Sequence, residues 1–354
     1  MTDVDDLRAV LDDIAAAHSR PLDGGAPRAP GELWDELESL GLTLVGADEG
    51  RGGGGGTVEH AIEVAAAVGR HALPLPIAET AVVASWLLDS AGLDLPPGPL
   101  TAAGFARADR VTAIPTGAGG VHLRGVVRAV PWAREAAHVA LVADGPDGCL
   151  VGLVEPADLV LAEGENLAGE PRDDAELDLD APVWAPLPGS VTGAGIRARA
   201  ALSRSVQILG ALERTRDITM EFVQQREQFG RPIIRFQAVA QSVAVLAAEV
   251  ALTRAAVTRC LRSGASNGPV WEFACGAAKV TASGAAATVA AIAHQVHGAV
   301  GITAEYPLHR LTSRLLSWQD DDGTEDEWAA VLGRSLPELG PDPWAALTAG
   351  EVLG

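Results

Sequence analysis

Lysine is nearly missing from this chain: 26 basic residues stand against 47 acidic ones, and Lys279 is the single lysine among them. The resulting net charge of −21 excludes a surface built for nucleic acid, because phosphate binding runs on clustered Lys and Arg. An anionic ligand must be met by individual arginines. Cysteine is scarce as well. Cys149, Cys260 and Cys275 are odd in number, far apart, and lack Cys-x-x-Cys or Cys/His spacing, so reduced thiols are expected and a metal centre is not. Long apolar runs are also lacking, since charge, Pro or Gly interrupts each stretch, and no membrane span is expected. The opening Met1 to Asp6 is acidic, without the basic and apolar parts of a secretion signal. A soluble cytoplasmic protein is the expectation.

What is present is apolar and largely helical. At 354 residues and 48% apolar content the chain should form two or three packed domains. Residues 1–97 read as a helical domain. Leu33, Leu37 and Leu40 recur at i, i+4 and i+7 before Gly41, and further helices are expected from Val58 to Arg70 and from Glu79 to Ala91, separated by Pro74 and Pro76. The tract Gly50 to Gly56 reads as a flexible loop; no Lys-Ser or Lys-Thr follows it, as a phosphate loop would need.

Composition shifts over residues 98–190 to short apolar runs between Gly, Pro and Asp clusters, which indicates a small β domain. Val139 to Ala143 and Leu150 to Val154, joined by Asp144-Gly145-Pro146-Asp147-Gly148, form a hairpin signal. Asp173 to Asp180 is assigned to a solvated face. Residues 191–354 return to long helices: Leu202, Val206, Leu209 and Leu212 mark one apolar face, Val239, Val243, Leu246 and Val250 a second, and Val289, Ile292 and Val296 a third. Phe229-Gly230-Arg231-Pro232 separates the first two helices. The expected fold is mainly α with a small central β domain and a C-terminal four-helix bundle.

Two segments of the bundle carry a resemblance. Arg226-Glu227-Gln228-Phe229-Gly230 with Ile233 and Phe236-Gln237, and Gln295-x-x-Gly298-x-x-Gly301 followed by Glu305-Tyr306-Pro307-x-x-Arg310, resemble signatures of the acyl-CoA dehydrogenases. The N-terminal Leu33-Trp34 to Gly41-Leu42, the Gly tract, Val68-Gly69-Arg70 and Leu75-Pro76 follow in the order seen in that family. The resemblance implies an FAD-dependent enzyme that introduces an α,β double bond into an acyl-CoA thioester, with subunits that bind FAD at their interface. It implies that Arg226 reaches a pyrophosphate, that Gln228 and Phe229 contact a neighbouring subunit's flavin nucleotide, that Gln237 lies near the adenine end, and that Gln295, Gly298 and Gly301 lie against the AMP half. An arginine fork suits a diphosphate, and glycine lets main chain approach it. His294, His297 and His309 match no metal spacing and are assigned to packing and hydrogen bonding.

The sequence also departs from the family. The catalytic base is most often a Glu in a Glu-Gly-Thr segment; here the matching segment is Asp322-Gly323-Thr324, and Asp322 is the candidate base. Aspartate is shorter by roughly 1.5 Å, while a base must come within about 3 Å of its proton. The alternative family position on the first bundle helix is Ala200. The Thr-Glu-Pro motif that holds the flavin ring in full-length members is missing between residues 98 and 190. Both departures are similar to the shorter subunits of heteromeric α2β2 actinobacterial acyl-CoA dehydrogenases. That likeness implies a bulky or steroid-like acyl-CoA, a second acyl-CoA dehydrogenase subunit sharing the FAD, and an electron-transfer flavoprotein as acceptor. A non-catalytic subunit completing the partner's FAD site, or a flavin monooxygenase component on the same fold, are the alternatives left open.

Overall fold

The computed structural model describes residues 4–18, 31–116, 119–262, 268–303, 305–339, 342 and 345. Met1 to Asp3 and Ala304, which entered the sequence argument, lie outside the described residues. The described residues divide into two compact units, one from 4–18, 31–65 and 74–203, the other from 66–73 and 204 onward.

The first unit begins with helices α1 (Val4–His18) and α2 (Glu32–Ser39) and the start of α3 (Val58–His71), whose residues from 66 on belong to the second unit. Trp34 and Leu37 are the buried face of α2. The Gly tract differs from the expected flexible loop. Gly53 donates to Asp48 O at 2.9 Å, Gly54 to Leu44 O at 2.9 Å and Gly55 to Ala47 O at 3.0 Å, so it is a hydrogen-bonded knot. A Cβ on Gly53 or Gly54 would run into main chain at Ala47 or Gly41, which explains why side chains are missing there. The helix expected over 79–91 is also modified: Ala78–Ala84 is wound as a buried π-helix, and only Ser85–Ser90 is α-helical (α4).

The β domain holds β1 (Leu100–Ala103), β2 (Arg110–Pro115), β3 (Val121–Pro131), β4 (His138–Gly145), β5 (Gly148–Val154), β6 (Val160–Ala162), β7 (Arg172–Ala181) and β8 (Val183–Pro186). The strand order is β6-β7-β3-β2-β4-β5-β8, with β1 parallel to β4. The hairpin signal maps onto β4 and β5, where Val139 pairs with Val154 and Ala143 with Leu150. The acidic segment assigned to a solvated face is strand β7, and the assignment holds for Glu176, Asp178 and Asp180 but not for Asp173. Alternation puts Asp178 and Asp180 outward, but Asp173 is fully buried and bonded to Arg134 and to the amide of Gly164. A buried carboxylate needs such partners.

The second unit is the bundle. Helix α5 (Gly193–Gln225), which enters this unit at Arg204, is followed by a short hairpin, β9 (Glu227–Gln228) and β10 (Arg231–Pro232), then α6 (Gln237–Arg262), α7 (Pro269–His297), α8 (Leu308–Trp318) and α9 (Glu325–Ser335). Ile208 and Leu212 of α5, Leu246 and Val250 of α6, Ala286 and Val289 of α7, and Leu308, Leu311 and Leu315 of α8 form one core. The architecture is therefore mainly helical with a small central sheet domain.

Two sequence expectations change in the bundle. Helices α6 and α7 are each long and apolar enough, by length and composition, to cross a membrane, although the linear reading found no such run. Small and polar residues distributed around the helices hid the average; more than half of the α7 window is packed inside the fold. Cys260 on α6 and Cys275 on α7 are far apart in sequence but adjacent in space, with Sγ atoms 3.0 Å apart and both side chains buried.

Candidate cofactor and active site

The hairpin after α5 presents the first group of candidate residues. Arg231 pairs with Gln228, which leaves Phe229 and Gly230 as a two-residue loop with φ of +49° and +75°. Two positive φ angles are what a type I′ turn requires, and its first position favours Asn, Asp or Gly. Phenylalanine at positive φ is strained, and here it stands 89% exposed. Its ring meets Phe236 edge-on, centroids 6.1 Å apart, while Arg231 stacks over Phe236 at 4.3 Å. Arg226, Gln228 and Gln237 are exposed beside it.

The end of α7 supplies the second group. Gln295 is exposed on its last turn, and the helix stops at Gly298, with φ +59° and open space where a Cβ would be. Gly301 is the opposite case: it is buried, and a Cβ would press on His297 and Leu308. Phe222 of α5 stacks on His297, and Val296 packs in the same apolar cluster as Val223, Ile233 and Val243. These contacts bring the hairpin and the α7 end to one end of the bundle. The three histidines are bonded within the fold: His294 to Thr312, His309 to Tyr306 O, and His297 to both Ala293 O and the Tyr306 hydroxyl. Burial lowers the pKa of His294 and His297.

Exposed Arg and Gln side chains, an outward aromatic and a glycine with open main chain fit the donor set a dinucleotide requires.

Asp322 is not in that group. It follows α8, whose 11 residues span roughly 16 Å at the usual helical rise, whereas the α7 turn precedes α8. The turn at Asp322 is tightly specified. Asp322 and Gly323 have φ of +58° and +99°, Trp328 Nε1 donates to Asp322 O at 2.8 Å, and Thr324 with Glu327 forms a capping box that starts α9. Arg204 of α5 donates from Nε to Asp322 Oδ2 at 2.9 Å. Lys279, buried on α7, donates from Nζ to Ser283 and to the carbonyls of Trp318 and Gln319.

Comparison with known proteins adds to this geometry. Residues 198–336 match the family model for the acyl-CoA dehydrogenase C-terminal domain. The chain is 29% identical over 344 residues to acyl-CoA dehydrogenase FadE27 of Mycobacterium tuberculosis, covering 86% of this chain and 89% of that one. Among solved structures, a chain of the ChsE4–ChsE5 complex from Mycobacterium tuberculosis superposes with a TM-score of 0.86 at 27% identity, covering 96% of this chain and 98% of that chain. Residues 198–336 carry the acyl-CoA dehydrogenase C-terminal domain. A chain of the Tcur3481–Tcur3483 steroid ACAD superposes with a TM-score of 0.83 at 25% identity, over 95% of this chain and 98% of that one. The domain match and the similarity to FadE27 and to a chain of the ChsE4–ChsE5 complex support an oxidoreductase acting on acyl-CoA.

Two residues of the acyl-CoA dehydrogenase bundle escaped the sequence reading, Arg204 and Lys279. Each had a signal: an arginine on the apolar stretch of α5, and the one lysine of the chain inside an Ala-rich helix. Ala200, at the alternative base position, is buried and carries no acid.

Proposed function

We propose that this chain is one subunit of a heteromeric, FAD-dependent acyl-CoA dehydrogenase that introduces an α,β double bond into a bulky or steroid-like acyl-CoA. Electrons leave to an electron-transfer flavoprotein, and the assembly works in the cytoplasm. The observation that carries the reading is Phe229, strained and 89% exposed between Arg226 and Gln237, a set of groups facing away from its own fold. Such groups fit an FAD held jointly with a second subunit. The ChsE4–ChsE5 complex and the Tcur3481–Tcur3483 steroid ACAD, both named as two-component proteins, support the heteromer, and the steroid named for the second supports the substrate class.

In this reading Arg226 meets the pyrophosphate, Gln228 and Phe229 the flavin nucleotide of the neighbouring subunit, Gln237 the adenine end, and Gln295, Gly298 and Gly301 the AMP half. FAD, when bound, supplies the acceptor for the β-hydrogen as hydride. Asp322 is proposed as the base for the α-proton. Its Oδ2 is engaged by Arg204, leaving Oδ1 to accept that proton.

The same ion pair favours a second reading, in which Asp322 is structural and the partner subunit supplies the base. Co-expression with the partner, followed by a flavin absorbance spectrum and ferrocenium reduction with a steroid-side-chain acyl-CoA, tests the main proposal. Flavin retained only by the two chains together, with acceptor reduction, is the expected result. Absence of flavin from the co-purified assembly would sink it. Turnover by the Asp322→Asn assembly separates the readings: loss supports the base, and wild-type turnover moves the base to the partner.

A further inference from the structure

Lys279 has no exposed surface, and its three ammonium protons meet three acceptors. Nζ lies 2.9 Å from Ser283 Oγ, 3.3 Å from Trp318 O and 2.7 Å from Gln319 O. Ser283 Oγ also donates to Gln319 O at 2.9 Å, so α7 grips the end of α8 twice. The last carbonyls of a helix have no intrahelical partners, and a cation there also suits the helix dipole. Immediately beyond them the chain turns through Asp320, Asp321 and Asp322.

The charged groups facing Lys279 are Asp320, Asp321 and Asp322 on the turn and Arg204 on α5. Arg204 holds Asp322 at 2.9 Å and lies 3.9 Å from Asp321, and its second nitrogen donates to Gln207 at 2.6 Å. Arg204 therefore sets where the Asp322 carboxylate ends. Lys279 sets where the turn that carries it begins.

We propose that Lys279 is a positioning residue: its buried ammonium anchors the C-terminal end of α8 and so fixes the direction in which Asp322 leaves the turn. The catalytic part of this inference rests on Asp322 as the proposed base. Aspartate has less reach than glutamate, so its usefulness depends on how closely its main chain is placed.

Burial lowers the Lys279 pKa from 10.5 to about 8, against the opposing pull of the three aspartates. Two effects of opposite sign follow on raising the pH. Between about 8 and 10.5 the unfolded chain holds the lysine proton and the folded chain does not, so the lysine contribution to stability rises with pH. Over the same range the turn loses its cation and kcat falls. A merely structural lysine would not separate stability from turnover in this way.

Because Lys279 is the single lysine, labelling this chain alone with 13Cε-lysine in the assembled enzyme gives one lysine NMR signal from the subunit. The expected midpoint is near 8, and Asp322→Asn moves it lower by removing a facing carboxylate. Expected in the kinetics are a fall of wild-type kcat above that midpoint at constant KM, no such fall in Lys279→Arg, and a loss on the order of tenfold or more in Lys279→Met with flavin content unchanged. A midpoint at the ordinary lysine value, no response to Asp322→Asn, or wild-type kcat in Lys279→Met overturns the proposal. Full turnover by Asp322→Asn with the coupled titration intact overturns the base reading and supports the anchoring of the turn.

Discussion

Phe222 and His297 lie face to face, with ring centroids 4.3 Å apart and planes inclined by 29°. The stack joins the end of α5 to the end of α7 and so places the hairpin beside the Gly298 turn. The histidine donates from Nδ1 to Ala293 O and accepts at Nε2 from the Tyr306 hydroxyl, an arrangement that suits the neutral ring. Burial holds its pKa below the usual histidine value. The unfolded chain then binds the proton more readily, so the stabilisation is present above the unfolded pKa of about 6.5 and is lost as pH falls through the folded value. Urea unfolding midpoints at pH 7.5 and pH 5 should differ more for the wild type than for His297→Gln. Equal differences would contradict this account.

A second prediction comes from Gly69 on α3 and Gly210 on α5. A Cβ on Gly69 would collide with the main chain at Gln207, and one on Gly210 with the main chain at Ala66 and Arg70. Helix propensity alone favours alanine by about 1 kcal/mol. The collision is with rigid main chain, and overpacking costs about 1–3 kcal/mol. Packing wins. Gly69→Ala and Gly210→Ala should each lower the thermal midpoint by several degrees; an increase would show that the helices can part freely.

The periodic apolar faces of α5, α6 and α7 and the β4–β5 hairpin were legible because burial imposes a spacing that survives in one dimension. The π-helix at Ala78–Ala84 was not, since it has the same apolar content as an α-helix and differs only in hydrogen-bond offset. On β7 the exposed Glu176, Asp178 and Asp180 agree with the solvated face, but the burial of Asp173 was not legible because the acidic composition hides the inward alternation of Ala175 and Leu177. Motif residues such as Arg226 and Gln295 could be nominated from local pattern. The Arg204–Asp322 pair could not, as 118 positions separate the partners and no local rule links them.

On the sheet, His122 of β3 stands between Asp178 and Asp180 of β7, with ring nitrogens 2.7 and 2.8 Å from their carboxylates. Hydrogen bonds to Asp180 and then Asp178 raise its pKa. Its stabilising contribution is present in full below the unfolded value of about 6.5 and fades as pH rises through the folded value. The pair is exposed, so the effect is modest and screened by salt. An NMR titration of His122 should show a midpoint above that of a model histidine in low salt, moving down in Asp180→Asn. A midpoint indifferent to Asp180→Asn and to salt would rule out the pairing.

Phe229 gives the sharpest test of the cofactor group. Its φ of +49° costs roughly 1–2 kcal/mol for a residue with a Cβ, and glycine removes that cost. The side chain is 89% exposed, so little packing offsets the loss of the ring. Phe229→Gly should leave the thermal stability of the chain unchanged or slightly higher. If the ring lies against flavin nucleotide in the assembly, the same substitution should weaken flavin retention, as Arg226→Ala should by removing the pyrophosphate partner. Flavin-to-protein absorbance ratios after gel filtration read both effects. A stable Phe229→Gly assembly with the full complement of flavin would remove Phe229 from the site, and the same result for Arg226→Ala would remove the pyrophosphate contact.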